Sequence, residues 1–159
     1  MRKDAAQNRS CSSNRIRFME PYQHKAQYYE TDQMNVIHHS NYIRWFEEAR
    51  SYFLEQIGFP YDVLEHEMKL ISPVMEITCK YRAMVRFGDL VDIYTSVEKF
   101  NGIKLTLSYK IVNHKTGELC TTGTSTHCFL NASGTPVSLK KSAPNLYQKI
   151  LEHLEAVPN

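Results

Sequence analysis

The 159-residue sequence lacks what several functional classes require. No apolar run approaches the ~18 residues needed to cross a bilayer, so stable membrane insertion is not expected. Charge imbalance is also missing: 19 Lys and Arg against 17 Asp and Glu leave a net +2, too little for a nucleic-acid binder working through a broad basic field. Cysteine is sparse. Cys11, Cys79, Cys120 and Cys128 form no C-x-x-C pair and follow no hydrophobic signal sequence, which points to reduced thiols in a cytoplasmic protein and away from zinc. The glycosylation-type triplets at Asn8 and Asn131 then have no function. There is no G-x-S-x-G turn, so Ser125, Ser138 and His127 do not make a serine hydrolase, and no Gly-rich loop is present to cradle phosphates.

What is present fits one domain of ordinary size, over 21–159. Residues 1–20 are polar and without hydrophobic period, and read as a disordered tail. The arginines at 2, 9, 15 and 17 invite a transit-peptide reading, but Asp4, Glu20 and the missing amphipathic stripe oppose it. Loose alternation over Pro21–Thr31 predicts a strand with Ala26, Tyr28 and Glu30 on one side. Ser40 or Asn41 then caps a helix whose apolar positions Ile43, Phe46, Ala49, Phe53, Leu54 and Ile57 step by three and four, stopped by Gly58 and Pro60. A short helix over Tyr61–Met68 precedes a change of period.

From Leu70 to Leu130 the pattern is β-rich, with runs at Ile71–Tyr81, Leu90–Phe100, Lys104–Val112 and Leu119–Leu130. Asn101-Gly102 predicts a type I′ hairpin, and Ala143–Ala156 a closing helix with Pro144 in its first turn. The order predicts an α+β fold, one antiparallel sheet curved around the long early helix.

The chemistry concentrates in Tyr28–Arg50, Y-Y-E-T-D-Q-M-N-V-I-H-H-S-N-Y-I-R-W-F-E-E-A-R. A carboxylate just before a helix start can activate water, while the first helical turn offers unpaired N–H groups to an oxygen gaining negative charge. The run D-Q-M-N-V-I-H-H-S-N-Y, followed by a helix containing E-E-A-R, resembles the hotdog-fold acyl-CoA thioesterases of the 4-hydroxybenzoyl-CoA thioesterase type. The likeness is most specific over Tyr28–Arg50 and extends more loosely, through the F-G-D turn at Phe87–Asp89, over about Tyr22–Leu139.

The resemblance implies hydrolysis of an acyl-CoA to free acid and CoA, without metal or redox cofactor. It makes Asp32 the general base or nucleophile and gives the His39 backbone N–H the thioester oxygen, its imidazole being able to hold water or thiolate. In a related branch of the family the acid lies on the long helix, which makes Glu48 the reserve candidate. Asn35 stands where the family usually has Gly, a departure that a left-handed turn tolerates. Asn35, Val36 and Tyr42 are expected beside the substrate. Arg86 and Lys140, with Arg82 and Lys141, are candidates for the CoA phosphates. A homodimer or homotetramer is implied, with sites at the subunit interface. The open alternatives are an acyl carrier protein as the acyl donor, or a non-catalytic acyl-CoA-binding hotdog protein.

Plainer readings stand beside these. Asp32 can simply hold an Asx turn. His38 and His39 are adjacent and point apart, without a third ligand, so a metal site is not expected and His38 reads as structural. Glu47 reads as a solvated residue with Arg44 and Arg50 as i, i+3 partners. Tyr42, Trp45 and Phe46 read as packing residues, and Cys128 as a buried, inert thiol.

Overall fold

The computed structural model describes residues 19–154, so nearly all of the predicted N-terminal tail, with Cys11, lies outside the described residues. Five strands form a single antiparallel sheet: β1 (Tyr22–Lys25), β2 (Val74–Tyr81), β3 (Leu90–Phe100), β4 (Lys104–Asn113) and β5 (Leu119–Cys128). Their order is β1-β3-β4-β5-β2, which leaves β1 and β2 at the edges. The long helix α1 (Ser40–Gln56) lies against one face, and α2 (Leu139–Ser142) and α3 (Pro144–Leu151) follow the last strand. This is the α+β arrangement expected of a hotdog fold.

Alternation explains which face meets the helix. Leu105, Leu107, Tyr109 and Ile111 of β4 are buried at every second position, and Thr121, Gly123, Ser125 and His127 continue that face on β5. From α1, Tyr42, Trp45, Phe46, Ala49 and Phe53 fill the space above it. The expected packing role of Tyr42, Trp45 and Phe46 is therefore observed, and each fully buried aromatic side chain contributes roughly 2–3 kcal/mol. Ile43, expected in the core, is exposed. Helix and sheet touch most closely at Gly123, where an added Cβ would lie 2.5 Å from both the Phe46 ring and the Thr78 carbonyl. Only glycine fits there.

Several sequence expectations need correction. The first strand ends at Lys25, and Tyr28–Glu30 forms a 3-10 turn, because the Glu30 carboxylate folds back onto the Gln27 N–H in a capping box. Neither Ser40 nor Asn41 caps α1 by its side chain. His39 occupies the cap position with helical backbone angles, which withhold the extended geometry a side-chain cap requires. The β3–β4 hairpin forms, but not with a type I′ turn: of the pair only Gly102 has positive φ, at 88°, and the Asn101 side chain instead accepts from the N–H groups of Ile103 and Lys104. The short helix becomes a π-helical turn over Val63–Glu67, and the last helix runs from Pro144 to Leu151. Cys128 is half-buried. The ion pairs expected of Glu47 with Arg44 and Arg50 do not form; Arg50 points into the core, and the exposed Arg44 makes no ion pair with Glu47.

Two buried polar clusters flank α1. Toward β1, Glu30 accepts from His24, Gln27 and the Trp45 indole. Toward β4 and β5, Arg50 donates to Tyr61 (2.9 Å) and Tyr109 (3.3 Å), Tyr109 bonds Ser125 (2.6 Å), and Ser125 bonds His127 Nε2 (2.7 Å). Among the described residues no carboxylate pairs with Arg50.

Candidate active site

The site grows from a loop between the 3-10 turn and α1. A bridge between Thr31 and Ile37 closes the loop, and the Asp32 N–H donates to the Val36 carbonyl at 2.9 Å. Asn35 has φ 62°, the left-handed turn that its side chain tolerates in place of glycine. One Asp32 oxygen accepts from the Met34 N–H at 2.8 Å, so the Asx-turn role is real. The second oxygen has no hydrogen-bond partner among the described residues and leaves this half-buried carboxylate able to accept a proton. Asp32 and a functional role are thus compatible with the turn.

The loop delivers the chain to the positive end of α1. There the Ser40 N–H is taken by His38 Nδ1 at 3.2 Å and the Asn41 N–H by the His38 carbonyl at 3.0 Å. The His39 N–H has no acceptor among the described residues. The peptide that carries it is anchored through the His38 carbonyl, which accepts from the Asn41 N–H, and the next peptide is held by the Tyr81 hydroxyl, which donates to the His39 carbonyl at 2.8 Å. An anchored, unspent N–H at a helix start is suited to an oxyanion. The His39 ring is exposed and, against the expectation that the two histidines point apart, stacks on His38 with centroids 4.1 Å apart, while His38 Nδ1 holds Ser40, in keeping with a structural His38.

Beside the loop, Tyr42 is buried against Trp45 and Tyr81. Burial above all pushes its phenol up to about 12, and the Asp32 charge adds to the rise, which places the two groups within electrostatic reach. Burial also raises the Cys79 and Cys120 thiols, so neither is prepared as a nucleophile.

A family model for the thioesterase-like superfamily matches residues 26–152. The chain belongs to that superfamily. YneP of Bacillus subtilis (strain 168), named as a candidate acyl-CoA thioesterase, is 34% identical over 122 residues, covering 76% of this chain and 87% of that protein. A candidate esterase of Aquifex aeolicus (strain VF5) is 32% identical over 120 residues, with 76% and 91% covered. The solved DHNA-CoA thioesterase of Staphylococcus aureus superposes with a TM-score of 0.78 at 32% identity, covering 84% of this chain and 89% of that one.

In this thioesterase-like chain the remaining predicted residues divide. Val36 is buried in the loop, and Arg86 approaches it, with Nη1 3.5 Å from the Asn35 carbonyl, so Asp32, Asn35, Val36, His39, Tyr42 and Arg86 gather at one end of the sheet. Lys140 does not join them: α2 docks on the Gly102 turn, the opposite end of β3 from Leu90. Glu48 faces β1, where Oε2 accepts from the Tyr22 hydroxyl at 3.0 Å and meets His24 Nδ1 at 3.1 Å. Sequence reading missed Tyr81, whose role depends on a strand folding beside the helix start. It also missed the part played by Glu30, although the Gln27-x-x-Glu30 spacing was a local signal.

Proposed function

We propose that the protein hydrolyses an acyl-CoA thioester to a free acid and CoA, with Asp32 as general base or nucleophile and the His39 N–H as the oxyanion donor. The observation that carries this reading is the single closed loop joining an Asp32 oxygen without a partner to a helix start whose first N–H is unspent. Attack on the carbonyl carbon moves charge to its oxygen, where the helix terminus stabilises it, and collapse expels a thiolate. Hydrolysis consumes only water and changes no oxidation state, so the proposed reaction calls on no redox cofactor, and the reading gives no role to a metal.

Superfamily membership and the relatives' names support thioester hydrolysis, and the thioesterase structures include one of a DHNA-CoA enzyme at 32% identity and one of a gentisyl-coenzyme A enzyme at 25%. Aromatic acyl-CoAs therefore head the substrate panel. Arg86 is our candidate for a CoA phosphate, because it is exposed beside Asn35. The open edge of β2, with Val74, Met75 and Tyr81 exposed, favours a dimer that pairs or covers it. None of the helices described is long and apolar enough to cross a membrane.

Thiol release from a panel of aromatic, short and long acyl-CoAs tests the proposal. Asp32→Asn keeps an oxygen for the Met34 N–H and removes the basic one. A fall of roughly 10²- to 10⁴-fold in turnover with the fold intact is expected. Full activity in that variant removes Asp32 from the mechanism.

A further inference from the structure

The residue that organises this site is not in it. Glu30 precedes Asp32 by two positions, is 5% exposed, and uses both its side chain and its backbone. Its Oε1 accepts from the Gln27 N–H and from His24 Nε2, each at 2.8 Å, and its Oε2 from the Trp45 indole N–H at 2.6 Å. Its carbonyl oxygen accepts from the His38 N–H at 2.8 Å and from the Asn41 side-chain amide at 2.9 Å. The loop carrying Asp32 therefore starts at Glu30 and returns to it immediately before His39. Trp45 and Asn41 belong to α1, so one residue ties loop and helix into a common frame.

His24 completes the arrangement. Its ring lies on Trp45 with centroids 4.6 Å apart, and its two nitrogens face Glu30 and Glu48. The nitrogen that faces Glu30, Nε2, lies 2.8 Å from Oε1, within reach to donate to it. Tyr22 is the other titratable group here, hydrogen bonded to Glu48. Glu30 is thus a buried anion whose partners all donate, the condition under which a buried charge is tolerated and fixed in place.

We propose that Glu30 is a positioning residue for thioester hydrolysis, holding Asp32 and the His39 N–H in one geometry through the His24, Trp45 and Asn41 contacts. This rests on the hydrolase reading above. Glu30 touches no reacting atom; it acts by preventing the small displacements that cost about 10²-fold in rate when catalytic groups shift by ~1 Å.

Glu30→Gln tests it, because the substitution keeps size and places an amide donor where one of three donors now finds an oxygen. Expected are a fall in kcat of roughly 10- to 100-fold with KM little changed, and faster amide exchange confined to residues 31–39 while β3, β4 and β5 keep their protection. Unchanged kcat, or exchange in residues 31–39 equal to that of wild type, overturns the proposal. So does a uniform rise in exchange with kcat per folded molecule unaltered, the signature of a purely structural residue. Should Glu30→Gln not fold, Trp45→Phe removes the donor to Oε2, together with part of the indole packed on His24 and Tyr42, and carries the same test, read as selective exchange in residues 31–39 with a fall in kcat per folded molecule. Failure of wild type to release CoA from any acyl-CoA sinks the hydrolase reading, and the exchange experiment still decides whether Glu30 holds the loop.

Discussion

The two polar clusters beside α1 bury similar numbers of hydrogen bonds but treat charge in opposite ways. On the β1 side the buried charge is the Glu30 anion, surrounded by donors that include His24. On the β5 side it is the Arg50 cation, 6% exposed and, among the described residues, met only by the phenols of Tyr61 and Tyr109. Tyr109 accepts from Arg50 and is hydrogen bonded to Ser125, which is hydrogen bonded to His127 Nε2, so a chain of neutral polar groups leads away from the cation. His127 Nδ1 lies near the Pro73 carbonyl without a completed hydrogen bond. A compensated anion secures the loop that carries chemistry; an uncompensated cation instead demands neutral neighbours.

The contrast depends on the two sides being held apart by a tightly seated helix, and Gly123 is where that seat is closest. Gly123→Ala would drive a methyl group into the Phe46 ring and the Thr78 backbone, and the backbone cannot step aside without breaking the β2–β5 ladder. The loss should reach or exceed the upper end of the roughly 1–3 kcal/mol typical of overpacking. Chemical denaturation followed by Trp45 fluorescence measures it, and a loss under about 1 kcal/mol would mean that the helix is free to shift.

Acid separates the clusters more finely. Burial, and then the Arg50 charge, push the His127 imidazole down to about 4 from 6.5. The unfolded chain therefore binds a proton that the folded chain refuses between these values, and stability falls as pH drops from about 6.5 to 4, by on the order of 3 kcal/mol. Glu30 acts at lower pH. Burial raises its carboxyl, but the hydrogen bonds from His24, Gln27 and Trp45 outweigh this and hold it below the ordinary carboxylate range. Its contribution is present above the usual carboxylate pKa and is lost as pH falls through the lowered value. Denaturation midpoints against pH should show His127→Gln flattening the pH 4–6.5 limb alone. Arg50→Met should flatten the same limb less, since Arg50 is the second cause of the shift. A limb unaffected by either variant would break the comparison.

The sequence discloses the two sides unequally. Strand runs, helix length and the Gly58 stop follow from local periodicity, and β3 falls on Leu90–Phe100 as expected. The loop from Asp32 to His39 was legible because its elements are contiguous. Arg50 was misread because an arginine three residues from a glutamate ordinarily means a surface pair, and nothing local reveals that Tyr61 and Tyr109 converge on it from 11 and 59 positions away. Glu30 was placed on a strand because alternation outweighed the Gln27-x-x-Glu30 signal, and its partners His24 and Trp45 lie on separate elements. Contacts assembled by tertiary folding leave no periodic trace.

The helix start finally allows the two sides to be compared at the peptides that flank the His39 N–H. The β1 side holds it through the Glu30 carbonyl, which takes the His38 N–H and the Asn41 amide, both buried or half-buried. The β2 side holds it by one hydroxyl, Tyr81 to the His39 carbonyl at 2.8 Å, on a residue 49% exposed. Water can replace an exposed donor, so Tyr81→Phe should cost no more than about 1 kcal/mol of stability and lower kcat by less than roughly fivefold. The ring contacts with Tyr42 and His39 survive the change, and KM should stay near its original value. Steady-state kinetics of Tyr81→Phe beside Glu30→Gln measures the difference directly. If the tyrosine variant loses the larger share of kcat, the oxyanion donor is oriented from the edge strand, and the buried anion only stabilises the fold.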